Sequence, residues 1–401
     1  MSPTGVAPVA GTRSPFRIGL GEATGAVADL GVLVPLATAL ILVNGLDAGA
    51  VLLCAGALVI ATGLFFRIPF PVQPLKALTA VAVAAQLSPG VIHAAGLELA
   101  GCLLLLSIGH VADLVARVFT KPVVRALQLG VGVLLAITAV KLVAEPPAVF
   151  VGTPDAPWPF LLTVGAFAAV VLAAKTRRYA IALGVLIVGI AVVWLTAAPA
   201  LGGPALSLPD LVLPARADFA AAFFLLVVPQ LPLTFGNAVV AVNALSHEYF
   251  PDRASRVSPS RVCLSAGLGN VASAVVGGMP MCHGAGGLTA HVRLGARTAG
   301  MNLLLGTTLI GLGLLFASQV PAILGTLPVW ALAGFLIYAG LRHAWLVADL
   351  RGVDVVLAVV AGAIGAWFGN LAITAGLALV VVHGRGWVLH RSGTPAGTLE
   401  R

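Results

Sequence analysis

The stretch Phe66–Leu87, FRIPFPVQPLKALTAVAVAAQL, sets three prolines and Lys76 between two apolar runs. Proline removes a helical hydrogen-bond donor and clashes with the preceding turn, so Pro69, Pro71 and Pro74 argue against one continuous helix here. The surroundings make that break costly. Of the 401 residues 60% are hydrophobic and 9% charged, and mean hydropathy is +1.07. A soluble domain has an apolar share of about 45–50%. The chain reads as an all-α polytopic membrane protein. In hydrocarbon, backbone without helical hydrogen bonds survives only where protein or a cavity satisfies it. IPFPVQ is therefore expected to run extended inside the protein, with Pro74 opening a half-helix.

Outward from this break the chain divides into fourteen apolar segments, from Ala23–Val43 to Leu371–His383. The third (Pro74–Leu87) and tenth (Pro280–His291) are short for a simple span of about 20 residues. With a cytoplasmic N-terminus, this parse puts all but three of the 22 basic residues on the cytoplasmic side, the exceptions being Lys141, Arg216 and Lys76. Dropping the short segments abolishes that asymmetry, so the positive-inside rule requires them to cross. The two halves echo each other. The break before segment three recurs in the second half as Gly277–Gly287, GGMPMCHGAGG, and Pro122 opening segment five recurs as Pro328 within segment twelve. Residues 16–197 and 216–384 are expected to form seven-segment repeats of opposite orientation. Paired interrupted segments of that kind mark the binding site of many secondary transporters. Residues 385–401 are left as a short cytoplasmic tail.

At such a break a half-helix presents unpaired amides and a partial positive charge. Lys76 adds a full charge, Gln73 offers a donor and an acceptor, and Gly284, Gly286 and Gly287 permit close backbone approach from the other half. Cys282 and His283 lie in the same stretch, with His283 a candidate donor. The pattern points to a small anion. Neither broken segment carries an acidic residue, which argues against a cation as the main substrate. Gln230 and Asn237 on segment eight either line the site or pack as interhelical polar contacts. Asp29 on segment one and Glu98 on segment four are coupling candidates, with structural alternatives: a hydrogen bond to a broken helix for Asp29, a partner such as His110 for Glu98. For Lys76 the alternative is snorkelling to a surface.

Four blocks then carry a resemblance: GAVADLGVLVP (Gly25–Pro35), PFPVQPLKA (Pro69–Ala77), PQLPLTFGNAVVAVNALS (Pro229–Ser246) and GMPMCHGAGGLTAHVRLGAR (Gly278–Arg297). In this order they resemble the signature blocks of MOT1-type molybdate transporters, a branch related to the SulP superfamily. The resemblance implies oxyanion uptake across the cell membrane, molybdate first and sulfate second. It also implies a core domain of segments one to four and eight to eleven, a gate domain of the rest, elevator movement and a homodimer. The STAS domain usual in sulfate permeases is not expected here, where a short tail follows the last segment.

Other classes fit less well. The +8 net charge sits in loops rather than in a stripe, so nucleic acid is not an expected partner. Nucleobase transporters of the same fold use carboxylates in segments eight and ten, which this sequence lacks there. No paired acids, HExxH or serine with a base suggests an enzyme. Met279, Met281, Cys282, His283 and His291 complete no ligand set, and neither a metal nor a cofactor is expected. The four cysteines are singly placed and expected to be reduced. The first segment, followed by another span, does not read as a signal peptide.

Overall fold

The computed structural model describes residues 14–109, 111, 120–146, 150–151, 157–176, 180–197, 202–369 and 371–391, without the side chains of 27–31, 174, 180, 182–183, 237, 339, 372 and 386–391. These residues are mostly helical. The first half contains α1 (Leu20–Leu42), α2 (Ala48–Phe66), α3 (Lys76–Ala84), α4 (Pro89–Leu106), α5 (Lys121–Ala144), α6 (Trp158–Thr176) and α7 (Ala180–Ala197). The second contains α8 (Arg216–Tyr249), α9 (Pro259–Val275), α10 (Ala285–Arg293), α11 (Gly300–Leu315), α12 (Val329–Ala344), α13 (Val353–Trp367) and α14 (Leu371–Arg391). Among the described residues, five helices are long and apolar enough to cross a membrane by length and composition. Many large apolar side chains on the helices face outward, among them Leu195, Val380 and Phe224. The chain is a multi-pass membrane protein.

Local chemistry sets several ends. Asp47 caps α2 by accepting from the Ala50 amide at 2.6 Å, and Ser88 and Ser258 cap α4 and α9, each followed by a proline that no longer needs its amide. Segment twelve departs from expectation. A six-residue turn, Val320–Gly325, precedes Pro328, which is the N-cap of α12 and not an interior residue. Segment eight is one long helix whose ladder widens to π geometry at Phe223–Val227 and Thr234–Val240, on either side of Pro229 and Pro232.

Packing sorts the helices into two groups. In the first, α2 packs on α11, α4 on α9, and α1 on α10 and α11; in the second, α5 packs on α12, α13 and α14, and α12 on α6. Each group has a reciprocal glycine contact: Gly56 against the Gly306 carbonyl and the reverse, Gly132 against the Gly340 carbonyl and the reverse. With no side chain at these points the backbones approach closely, the usual basis of helix association in lipid. Away from the middle of the protein, hydrogen bonds at the helix ends and connections also fall into two sets. Asn44 reaches Leu87, Ala205 reaches Leu315, Val212 reaches Val275 and Gln319 reaches Gly203. At the other end Arg256 reaches Phe65, Ser260 reaches Gly109 and Arg253 reaches Arg297. No described connection takes part in both sets.

Candidate anion site

Two short strands meet in the middle of the first group. β1 (Gln73–Pro74) pairs antiparallel with β2 (Met281–Cys282), Gln73 opposite Cys282 and Pro74 opposite Met281. Both broken segments are thus extended before they turn helical. This corrects two sequence expectations. Pro74 lies in a strand and not at the start of a helix, and residues 280–284 are not helical: α3 begins at Lys76 with Leu75 as its N-cap, and α10 begins at Ala285 with Gly284 as its N-cap. The reason is cross-chain pairing. Proline brings no donor to the ladder, but the Leu75 amide donates to the Pro280 carbonyl at 3.2 Å and holds the strands in register.

The extended backbone is satisfied residue by residue. Asn302 on α11 accepts from the Phe70 amide at 3.0 Å and donates to its carbonyl at 2.7 Å. Asn270 on α9 does the same for Met281, at 2.7 Å in both directions. Both asparagines are fully buried. Sequence reasoning missed them, and their signal was local: a lone asparagine in each of two apolar helices, where an unpaired amide is costly. The helices that lead into the breaks stop by the same device. Arg67, C-cap of α2, has φ 58°, and Gly277, just past α9, has φ 81°. Both take the left-handed conformation that ends a helix.

The predicted site residues separate into those at a cavity and those behind it. Gln73, Lys76, Gly286 and Gly287 line a cavity of about 430 Å³, together with Tyr338, Arg342 and His343 of α12. A second cavity of about 20 Å³ is lined by Lys76, Gln128, Gln230, Cys282 and His343. A β-carbon on Gly284 would collide with the Gln73 carbonyl oxygen, and one on Gly287 would lie 2.5 Å from its amide nitrogen. The Gln73 side chain therefore lies across the start of α10, in space those two glycines leave open. Gly286 has open space around it. No side chain caps α3 or α10 at its N-cap.

Gln230 does two things. Its carbonyl oxygen accepts from the Leu78 amide in the first turn of α3 at 2.9 Å, its amide donates to Thr234 at 2.9 Å, and it lines the small cavity. His283 is not brought to either cavity. It is fully buried, its Nδ1 donates to the Pro71 carbonyl at 3.0 Å, and its Nε2 lies 3.2 Å from the Ser265 hydroxyl. A carbonyl only accepts, so Nδ1 carries the proton and Nε2 accepts from the serine. The expected anion donor is thus a clamp on the proline loop, a role that needed the tertiary contact with Pro71 to be seen. Glu98 lies on α4 and lines neither cavity. Its expected partner His110 falls outside the described residues, as do the side chains of Asp29 and Asn237.

The two half-helices run in opposite directions. At the end of α3, Asn44, just beyond the C-terminus of α1, donates to the Ala82 and Leu87 carbonyls at 2.9 Å. At the end of α10, Thr24, near the N-terminus of α1, donates to the Leu294 carbonyl at 2.6 Å. Thr24 and Asn44 lie about 30 Å apart along α1 at about 1.5 Å per residue. Two helix N-termini therefore meet inside the protein while their C-termini reach opposite ends.

The N-termini of α3 and α10 thus meet beside Lys76, in a fold that solved structures share. The transmembrane domain of a cyanobacterial bicarbonate transporter, BicA, superposes with a TM-score of 0.64 at 17% identity, covering 88% of this chain and 96% of that one. A structure of the murine Solute Carrier 26 family member A9 anion transporter, in the inward-facing state, gives 0.64 at 15% identity, covering 92% of this chain and 70% of that one. At these identities the likeness is one of fold. A family model described as molybdate transporter of the MFS superfamily matches residues 21–135 and 222–342, and the chain belongs to that family. Molybdate transporter 1 of Arabidopsis thaliana is 31% identical over 84% of this chain and 81% of its own length. Molybdate transporter 1 of Chlamydomonas reinhardtii is 30% identical over 82% and 84%. The superfamily label and the architecture disagree. MFS halves are parallel repeats of six spans, whereas this fold is that of the Solute Carrier 26 and bicarbonate transporters.

Proposed function

We propose that this protein imports molybdate across the cytoplasmic membrane by secondary active transport, holding the oxyanion between the N-termini of α3 and α10 beside Lys76. The observation that carries this reading is the β1–β2 pairing, which sets both N-termini at one place, with Lys76 in the wall of the 430 Å³ cavity. Among the described residues no acidic side chain lines either cavity. A dianion leaving water needs charge-assisted hydrogen bonds, each worth about 1.5–3 kcal/mol. Gln73, Lys76 and the first amides of α3 and α10, at Lys76, Ala77, Ala285 and Gly286, supply them. Molybdate is the first choice because the family and the relatives carry that name.

The two helical groups pack chiefly within themselves and share the cavity wall. That arrangement supports an elevator movement of the α1–α4 and α8–α11 group against the rest, within a homodimer. The two sets of loop contacts support fourteen crossings arranged as inverted repeats, and the placement of the basic residues supports cytoplasmic termini.

Uptake of labelled molybdate into proteoliposomes at several pH values, with sulfate as competitor, tests the reading. Unlabelled molybdate is expected to compete more strongly than sulfate; the reverse order moves the substrate to sulfate, and no uptake of either overturns the proposal. Asp29→Asn and Glu98→Gln in the same assay test proton coupling. Lys76→Ala is expected to weaken molybdate binding to the folded, purified protein by at least about tenfold, or about 1.4 kcal/mol, and Lys76→Arg to retain part of it. Unchanged affinity in Lys76→Ala removes the lysine from the site.

A further inference from the structure

The small cavity beside Lys76 has a wall from the opposite helical group, Gln128 on α5. Gln128 is 5% exposed. Its carbonyl oxygen accepts from Arg125 Nη1 at 2.7 Å. A guanidinium has donors only, so the atom facing Arg125 must be the oxygen and the amide NH2 must point elsewhere. Arg125 is itself fixed. Its Nε donates to Asp349 Oδ1 at 2.9 Å and its Nη2 to Oδ2 at 2.5 Å, a two-point grip that sets the plane of the guanidinium. Lys121 holds the same carboxylate at 3.2 Å. A surface ion pair thus fixes the orientation of a buried glutamine that lines the cavity shared with Lys76, Gln230 and Cys282.

We propose that Gln128 is the donor through which the second helical group holds the bound oxyanion, with Arg125 and Asp349 as positioning residues. This rests on the reading that a tetrahedral oxyanion binds beside Lys76. The cavity sizes fit it. A space of about 20 Å³ admits about one water-sized oxygen, while the 430 Å³ cavity has room for the rest of an anion, and Lys76 and His343 line both. One oxo group of the anion enters the small cavity between Lys76 and the Gln128 amide; the remaining oxygens face the ends of α3 and α10. The anion then bridges the two groups in this arrangement, and its contact with Gln128 must break when the loaded α1–α4 and α8–α11 group moves.

The test measures molybdate affinity and thermal midpoint on the full-length purified protein. Gln128→Glu keeps an oxygen for Arg125 but replaces the donor by an acceptor; it is expected to lose about tenfold or more in affinity with little change in midpoint. Gln128→Leu, of similar volume, is the second variant and is expected to lose affinity likewise. Asp349→Asn is expected to lose about three- to fivefold, and no further loss is expected when it is combined with Gln128→Leu, because both act through one donor. Parent-like affinity in Gln128→Glu, or fully additive losses in the double variant, overturns the proposal. If those results accompany a Lys76→Ala variant that no longer binds molybdate, the site reading stands and only the role of Gln128 falls. A parent protein that binds no tetrahedral oxyanion overturns both.

Discussion

The two broken segments reach the same geometry with opposite materials. The approach to α3 is proline-rich and stiff, and it supplies the side chains that do chemistry, Gln73 and Lys76. The approach to α10 is glycine-rich and supplies space: Gln73 lies where β-carbons on Gly284 and Gly287 would be. Proline suits a stretch that must stay extended, since it fixes φ and needs no amide partner. Glycine suits one that must let a foreign side chain lie against its backbone. Near-symmetry of the backbone therefore coexists with asymmetry of function. One broken segment carries Gln73 and Lys76, and the other carries the vacancy that admits Gln73.

The sharpest way to break the comparison is topological. If the half-helices leave the middle in opposite directions, cysteines at Ala85 and Arg293, both exposed, label from opposite faces of the membrane with an impermeant thiol reagent. Labelling from one face would end the inverted arrangement. Next in size is the support of each strand. Asn270→Leu and Asn302→Leu each strand a buried amide and carbonyl at about 1–3 kcal/mol per group, so both are expected to lower the thermal midpoint. A loss in only one would show that the two strands are not held equivalently.

Crowding Gln73 comes third. Gly284→Val is expected to reduce molybdate affinity by about a hundredfold, or about 2.7 kcal/mol, as measured by binding to a folded protein. The smallest effect is expected at Gly286, where a β-carbon meets nothing within 4 Å. Gly286→Ala should change affinity by less than about threefold, or about 0.6 kcal/mol. Equal losses at positions 284 and 286 would mean that space for Gln73 is not what the second segment contributes.

Much of this was legible from local chemistry. Hydropathy located the apolar segments, because burial in lipid is written in composition. The prolines and the glycine-rich stretch located the two breaks, and Lys76 stood out because a charge in an apolar run needs a reason. What local chemistry misjudged was the partner of each group. A helix start at Pro74 was the natural reading until β2, more than 200 residues away, offered its backbone and extended the chain to Leu75. His283 read as an anion donor until Pro71 and Ser265 occupied both its nitrogens.

The sequence by itself determined that this chain lies in a membrane, where its backbone must leave helical geometry, and that the break carries positive charge. Each follows from properties a residue brings with it: transfer free energy, a missing amide proton, a charge. The tertiary structure alone decided which residues line the cavities, that Gln128 joins Lys76 at the small one, Arg342 at the large one and His343 at both, and that Asn270 and Asn302 hold the extended backbone. A hydrogen bond is a relation between two groups. Where the groups lie on different helices, only the packing that brings those helices together decides whether a polar side chain faces ligand or backbone.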